Sequence, residues 1–161
     1  MATVNMDFPA AAAAPVANDR VMKKTYSAGD VPQLAAALRN ANATTEDILM
    51  AITGFRKMLS VERDPPVLDV INANMLPHFI QLLTHDKDKI QFEAAWALTN
   101  VASTEYTRSV CEYGAIPHLV QLLMSANSDV REQAAWCLGN IAGDAPDLRN
   151  LVLEGGAMEP M

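Results

Sequence analysis

Two stretches of the chain repeat one pattern, EAAWALTNVAS at residues 93–103 and EQAAWCLGNIAGD at residues 132–144. In each stretch, small apolar residues surround one tryptophan, and an asparagine follows four residues later. Trp96 and Asn100 recur as Trp136 and Asn140, forty residues further along the chain. Because residues four apart share a face of an α-helix, each stretch predicts a helix that presents an indole beside a carboxamide.

The same shift extends over the rest of each unit. MLPHFIQLL at residues 75–83 matches AIPHLVQLL at 115–123, and GAIPHL at 114–119 is echoed by GAMEPM at 156–161. A degenerate earlier copy lies at residues 30–60. A period of 40 to 42 residues with several helices per unit is typical of armadillo and HEAT solenoids. Three predicted helices per unit favour the armadillo type.

Turn signals place the helices of one unit. We expect helices at 105–114, closed by Gly114, at 115–126, with Pro117 in the first turn, and at 128–143, between Ser128 as N-cap and Gly143 as stop. The predicted fold is an all-α, right-handed armadillo-repeat solenoid of about two full repeats with a partial repeat at each end. Its expected parts are a disordered or loosely attached leader, 1–28, a partial repeat, 29–63, full repeats at 64–103 and 104–144, and the start of another at 145–161.

Composition narrows the class of partner. The net charge is −7 and the pI about 4.8, so the chain repels nucleic acid, and a basic peptide or protein is the more natural partner. No apolar run has membrane-spanning length, and residues 1–24 do not have the pattern of a signal peptide. Cys111 and Cys137 are expected to be small buried residues in a reducing compartment, and no motif indicates a metal or cofactor site.

A helical wheel separates the tryptophans from the apolar stripe. The predicted stripe consists of Ala94, Ala95, Leu98, Val101 and Ala102 in one copy and of Ala134, Ala135, Leu138, Ile141 and Ala142 in the other. The residues predicted to face away are Glu93, Trp96 and Asn100, then Gln133, Trp136 and Asn140. Stacked helices would then carry a ladder of indoles and carboxamides, although a tryptophan that packs on a neighbouring helix remains the alternative.

The residue types of the ladder suit an extended basic peptide. An asparagine can pair with both the C=O and the N–H of an extended backbone, and indole faces attract lysine and arginine side chains. Asp144, just after the second asparagine, is placed to meet an ammonium group, unless it only begins the next turn.

These motifs, with GAIPHLVQLL and FRKMLSVERDPP, resemble the first armadillo repeats of importin-α, from about residue 30 to residue 161. The resemblance implies binding of lysine- and arginine-rich nuclear localisation signals in an extended conformation, for nuclear protein import between cytoplasm and nucleus. It implies contact residues Trp96, Asn100, Thr107, Gln133, Trp136, Asn140 and Asp144, with Asp144 holding the key lysine.

The chain departs from the family pattern in three places. Only Arg20, Lys23 and Lys24 precede the repeats, which makes importin-β binding doubtful. The loop around Thr107 is shorter than usual, and the chain ends as the third repeat enters its second helix. A truncated fragment is therefore expected, with self-association through an uncapped C-terminal end, or with another chain packed on that end.

The same residues leave one alternative function open. An armadillo scaffold without transport activity is the alternative. An enzyme is not expected, because His78 and His118 recur without a nucleophile or base beside them, and no phosphate-binding glycine loop is present.

Overall fold

The computed structural model describes residues 24–158, which form α-helices and turns without a β-strand in that range. A short 3-10 turn, Ala28–Asp30, leads into nine α-helices within these residues. In chain order they are α1 (Val31–Arg39), α2 (Thr45–Leu59), α3 (Val67–Asn72), α4 (Leu76–Leu82), α5 (Asp88–Ala102), α6 (Thr107–Glu112), α7 (Ala115–Leu122), α8 (Ser128–Asp144) and α9 (Pro146–Glu154).

The helices form repeating units of two short helices and one long one. α3, α4 and α5 make one unit, and α6, α7 and α8 make the next, while α1 and α2 precede them and α9 follows. The long helices stack in order, α2 on α5 and α5 on α8, and each also packs on the short helix before it. This confirms the predicted all-α armadillo solenoid.

Local signals explain where the helices begin and turn. Thr44 and Asp47 form a reciprocal capping box at the start of α2, with the Thr44 hydroxyl accepting the Asp47 N–H at 3.2 Å. Gly114 separates α6 from α7 with a φ of +84°, a left-handed conformation that glycine adopts without a Cβ penalty. As predicted, Pro117 lies in the first turn of α7.

The predicted ends of the third helix need correction. Asn127, not Ser128, is the N-cap of α8, because its side-chain oxygen accepts the N–H groups of Asp129 at 2.9 Å and Val130 at 3.3 Å. Ser128 is already the first helical residue. At the other end, Gly143 does not stop the helix, which runs on to Asp144 before Ala145 becomes extended. A glycine with helical backbone angles lacks the left-handed turn that ends a helix.

Both predicted apolar stripes line the core except at Ala135 of α8, and Ala142 of α8 is only partly buried. The α5 stripe is buried throughout, and Ala134, Leu138 and Ile141 of α8 are buried as well. Ala135, however, is exposed. Its counterpart in α5, Ala95, is fully buried. The difference follows from packing, because α5 lies between two long helices whereas α8 has a long neighbour on one side only within the described residues.

Two polar residues predicted to face solvent are instead buried between repeats. Glu93 is 5% exposed and Gln133 is 8% exposed. The wheel assumed one buried face per helix, but a stacked helix is covered on its flanks as well, and these positions lie on the flank that meets the preceding long helix. Each has a polar partner there, as buried polar groups require.

The last residues of the predicted leader, 1–28, lie within the described part of the chain. Tyr26 is buried, with the Lys24 ammonium 5.0 Å from its ring centroid. Its ring also lies against Gly54 of α2, where an added Cβ would come within 3.1 Å of it. Tyr26 therefore anchors this segment on the first helices, while residues 24, 25, 27 and 28 are exposed. What was expected of residues 1–23 and 159–161 falls outside the described residues.

Candidate functional site

The two tryptophan–asparagine pairs lie on adjacent long helices. Trp96 and Asn100 are carried by α5, and Trp136 and Asn140 by α8, which packs directly on α5. Thr99 connects the two helices, since its hydroxyl accepts the Gln133 Nε2–H at 2.8 Å. We call the four side chains Trp96, Asn100, Trp136 and Asn140 the ladder.

The two indoles have different surroundings. Trp96 is half-buried, packs edge-to-face with Phe92 at 5.6 Å between centroids, and has the Arg56 guanidinium 4.3 Å from its own centroid. Trp136 is 40% exposed. Within residues 24–158 neither an aromatic ring nor a cation stacks on it. An incoming side chain therefore finds the Trp136 ring open and the Trp96 ring partly covered.

The two asparagines also differ. Asn100 donates its amide Nδ2–H to the Ser60 hydroxyl at 2.8 Å and, more weakly, to the Arg56 carbonyl at 3.4 Å. Asn140 makes one long bond, from Nδ2 to the Thr99 carbonyl at 3.4 Å. In both cases Oδ1 remains to accept a hydrogen bond, and Asn140 keeps a donor as well. The expectation that each asparagine offers both functions therefore fits Asn140 better than Asn100.

Two of the expected contact residues are buried and engaged within the chain. Thr107 is 1% exposed, and its hydroxyl lies 2.7 Å from the Thr104 carbonyl and 3.0 Å from that of Ala102, so it tightens the turn before α6. Gln133 is held by Thr99. Their side chains support the ladder. A direct contact with a ligand would require backbone atoms of these residues or a movement of their side chains.

Asp144 is the exposed last residue of α8, and Arg108 is its cationic neighbour. The Arg108 guanidinium donates to Asp147 at 2.9 Å, and this bond, more than the fields of the nearby carboxylates including Asp144, raises the pKa of Arg108. The same bond lowers the pKa of Asp147. Because Asp147 takes the direct bond with Arg108, Asp144 has no salt bridge to any residue from 24 to 158, and its carboxylate is accessible.

Sequence reasoning missed the residues at the end of α2 that hold Trp96 and Asn100 in place. Arg56 donates to both carboxylate oxygens of Glu93, at 2.6 and 3.1 Å, and Ser60 accepts from Asn100. The forty-residue shift could have found both, since it carries Arg56 onto Trp96 and Ser60 onto Asn100.

Other kinds of site have less support in the described part of the chain. No group of three or more His, Cys, Asp and Glu side chains is arranged to hold a metal ion there, and none of its helices is long and apolar enough to span a membrane. A shallow pocket of about 360 Å³ lies between Leu83, Gln91, Gln121 and Met124, and its lining holds no cluster of titratable groups.

Comparison with known proteins agrees with this architecture. The Armadillo/beta-catenin-like repeat family matches the chain twice, over residues 63–103 and 103–143. Importin subunit alpha-2 of Arabidopsis thaliana is 48% identical over 116 residues, which are 70% of this chain and 22% of that protein. Importin subunit alpha-1b of Oryza sativa subsp. japonica is 44% identical over 134 residues, 81% of this chain and 25% of that protein.

Solved structures give the same picture. A designed armadillo repeat protein in complex with the peptide (KR)4 superposes with a TM-score of 0.75 at 28% identity, over 82% of this chain and 55% of that one. The chain belongs to the armadillo-repeat proteins and, among them, to the importin-α family. It spans about a quarter or less of the length of the importin subunits it matches.

Proposed function

We propose that the chain binds lysine- and arginine-rich nuclear localisation signals in an extended conformation, as an adaptor that works in cytoplasm and nucleus. The observation that carries the proposal is the open Trp136 ring beside Asn140, one helix away from Trp96 and Asn100. The names of the importin-α relatives support it, and so does the designed armadillo protein that holds a (KR)4 peptide.

The chemistry of binding follows from these groups. The stem of a lysine or arginine packs along an indole, and its charge is attracted to the ring face by about 0.5–2 kcal/mol. Asparagine oxygens accept peptide N–H groups, so they recognise an extended backbone whatever side chains it carries. A net charge of −7 draws a basic peptide towards the surface from a distance.

Asp144 is the proposed partner of the signal's key lysine. It is exposed at the end of the ladder helix and lacks a direct ion pair with Arg108. A charge-assisted hydrogen bond to an ammonium group contributes about 1.5–3 kcal/mol. Thr107 and Gln133 contribute to peptide binding indirectly in this proposal. Thr107 stabilises the turn before α6, and Gln133 holds Thr99 through its hydrogen bond between α8 and α5.

A titration of intrinsic tryptophan fluorescence with a lysine-rich signal peptide tests the proposal. We expect saturable quenching, a loss of affinity of about tenfold or more in Asp144→Lys, and weaker binding with added salt. Glu154→Lys, at the exposed end of α9, makes the same charge change away from the ladder and should lose much less. Equal losses of affinity in both variants would mean that Asp144 acts only through the net charge of the protein and does not bind the lysine directly.

The alternative is an armadillo scaffold without transport activity. The partial covering of Trp96 and the engaged amide of Asn100 favour the scaffold, since they leave only the Trp136–Asn140 pair of the ladder open to a peptide. Absence of any fluorescence response at high peptide concentration would select this alternative.

A further inference from the structure

Helix α2 and its C-cap residue carry a counterpart of the tryptophan–asparagine pair made of different residue types. Arg56 lies forty residues before Trp96, and Ser60 lies forty residues before Asn100. Both contact their counterparts, Arg56 through the Trp96 ring and Ser60 through the Asn100 amide. The stack of long helices therefore has a cation at the α2 position where α5 and α8 have an indole.

The Arg56 guanidinium is held from two sides. Its carbon lies 4.3 Å from the Trp96 centroid, and two of its nitrogens donate to the two carboxylate oxygens of Glu93. The side chains of Arg56 and Glu93 are only 15% and 7% exposed, so the pair is largely shielded from water. An indole with a buried carboxylate beside it is a complete site for an alkyl guanidinium or ammonium group.

We propose that Trp96 and Glu93 form a cation-binding slot that the chain fills with its own Arg56, and that Arg56 thereby determines where a bound peptide can place basic residues. The inference rests on the proposed function for its ligand, a lysine-rich extended peptide. Arg56 is a specificity-determining residue in this account, because it occupies a subsite that the peptide would otherwise use.

Three consequences of the geometry support this role. Arg56 covers one face of the Trp96 ring, so at most the other face is left for a ligand. Both Glu93 oxygens already accept hydrogen bonds and offer little to a second cation. The Asn100 amide is turned towards α2, where Ser60 accepts from it. Basic side chains of the peptide are therefore confined to the Trp136 side of the ladder.

Arg56→Ala empties the slot and gives a direct test. The probes are dye-labelled glycine–serine peptides that contain two lysines. Each is extended by two residues at either its N-terminus or its C-terminus, and the outermost added residue is either lysine or glutamine. The ratio of the glutamine Kd to the lysine Kd measures the preference for a cation at that end. We expect Arg56→Ala to raise this preference about five- to thirtyfold at one end only.

Arg149→Ala is the matched control, because it removes the same charge from an exposed site on α9. A preference that stays at the wild-type value in Arg56→Ala, or rises equally in both variants, would overturn the proposal. If Arg56→Ala does not fold, Arg56→Gln replaces it, because the neutral amide removes the cation from the slot, keeps the Glu93 carboxylate and can still donate a hydrogen bond to it. The preference must rise in that variant too, and an unchanged value rejects the slot.

A second measurement needs no peptide. Ethylguanidinium at low millimolar concentration should raise the Tm of Arg56→Ala relative to that of Arg149→Ala, because a ligand that binds the native state stabilises it. Equal Tm shifts in the two variants would reject the slot. If the wild-type protein fails to bind the two-lysine peptide, the proposed function fails, and this measurement still decides whether the slot exists.

Discussion

Trp96 and Trp136 occupy equivalent positions in successive repeats, yet their side chains have different roles in the fold. Trp96 packs on Phe92 and under Arg56, whereas Trp136 is 40% exposed and no ring or cation of residues 24–158 stacks on it. Part of the difference comes from the preceding long helix, since α2 supplies an arginine that lies over the Trp96 ring. The rest is local, because Phe92 of α5 corresponds to Glu132 of α8 under the forty-residue shift.

Truncating each tryptophan should separate packing from binding. Trp96→Ala removes contacts with two neighbours and should lower the free energy of unfolding by about 2–3 kcal/mol. Trp136→Ala should cost under about 1 kcal/mol in stability and weaken binding of a lysine-rich peptide by about 1–2 kcal/mol. Urea denaturation and fluorescence titration of both variants measure these effects. Similar stability losses in the two variants would mean that Trp136 is also packed.

Asn140 should contribute to backbone capture and little to the fold. Its one intramolecular bond is long, so Asn140→Ala is expected to leave helicity unchanged. Loss of the Oδ1 acceptor should weaken peptide binding by about 1 kcal/mol whatever the side chains of the peptide. Titration with two peptides that differ only in one basic side chain checks this, and a change in the ratio of their affinities would contradict it.

At the scale of elements, helix starts depend on which polar side chain reaches the free N–H groups. Asn127 and Ser128 are neighbours and both are good capping residues, but only Asn127 has the extended backbone that directs its oxygen into the first turn of α8. Sequence alone allows either residue, and the exit from the preceding turn decides between them.

The cap assignment gives a matched pair of variants. Asn127→Ala should lower the free energy of unfolding by about 1 kcal/mol, because two N–H groups of α8 lose their acceptor. Ser128→Ala, one residue on and already helical, should change it by less than about 0.5 kcal/mol. Thermal or urea unfolding followed by circular dichroism compares them, and a larger loss for Ser128→Ala would restore the serine as the cap.

The contact between α2 and α5 includes the Arg56–Glu93 pair, and its removal should be asymmetric. Glu93→Ala leaves a largely buried guanidinium without its carboxylate and should cost about 3 kcal/mol. The double variant Arg56→Met/Glu93→Leu leaves neither charge and should be closer to wild type in stability. A double variant as unstable as the single one would show that the ion pair itself contributes net stability.

At the scale of the whole molecule, the interior between repeats excludes water from a thiol. Cys137 of α8 is fully buried, and burial raises its pKa to about 12 from an ordinary value of 9.0. The unfolded thiol ionises first as the pH rises, so its contribution to stability is constant below about pH 9 and is lost from there towards pH 12.

This thiol should report unfolding of the solenoid. At neutral pH we expect Cys111, which is half-buried, to react first with a thiol reagent, and Cys137 to react only as fast as the protein opens. Above pH 9, Cys137→Ala should lose less stability with pH than the wild-type protein does. Rapid labelling of Cys137 in native buffer, or identical pH profiles, would contradict its burial.

The sequence by itself determined the period, the helices and the class of fold. Small apolar residues at helical spacing, glycine and proline at the turns, and a shift of forty residues are local or periodic signals, and none of them depends on which helix lies beside which. The positions of the four ladder residues are predicted in the same way, because the face on which each side chain lies depends on the helix that carries it.

Only the tertiary structure decided which of those side chains remain available. Stacking buries the flanks of a helix as well as its inner face, so Glu93, Gln133 and Thr107 turned inward to partners on other segments or in the adjoining turn. It also laid Arg56 over Trp96 and left Trp136 open. A wheel treats each helix alone, whereas exposure in a solenoid depends on the neighbouring repeat, and for that reason equal residues in equal sequence positions became unequal sites.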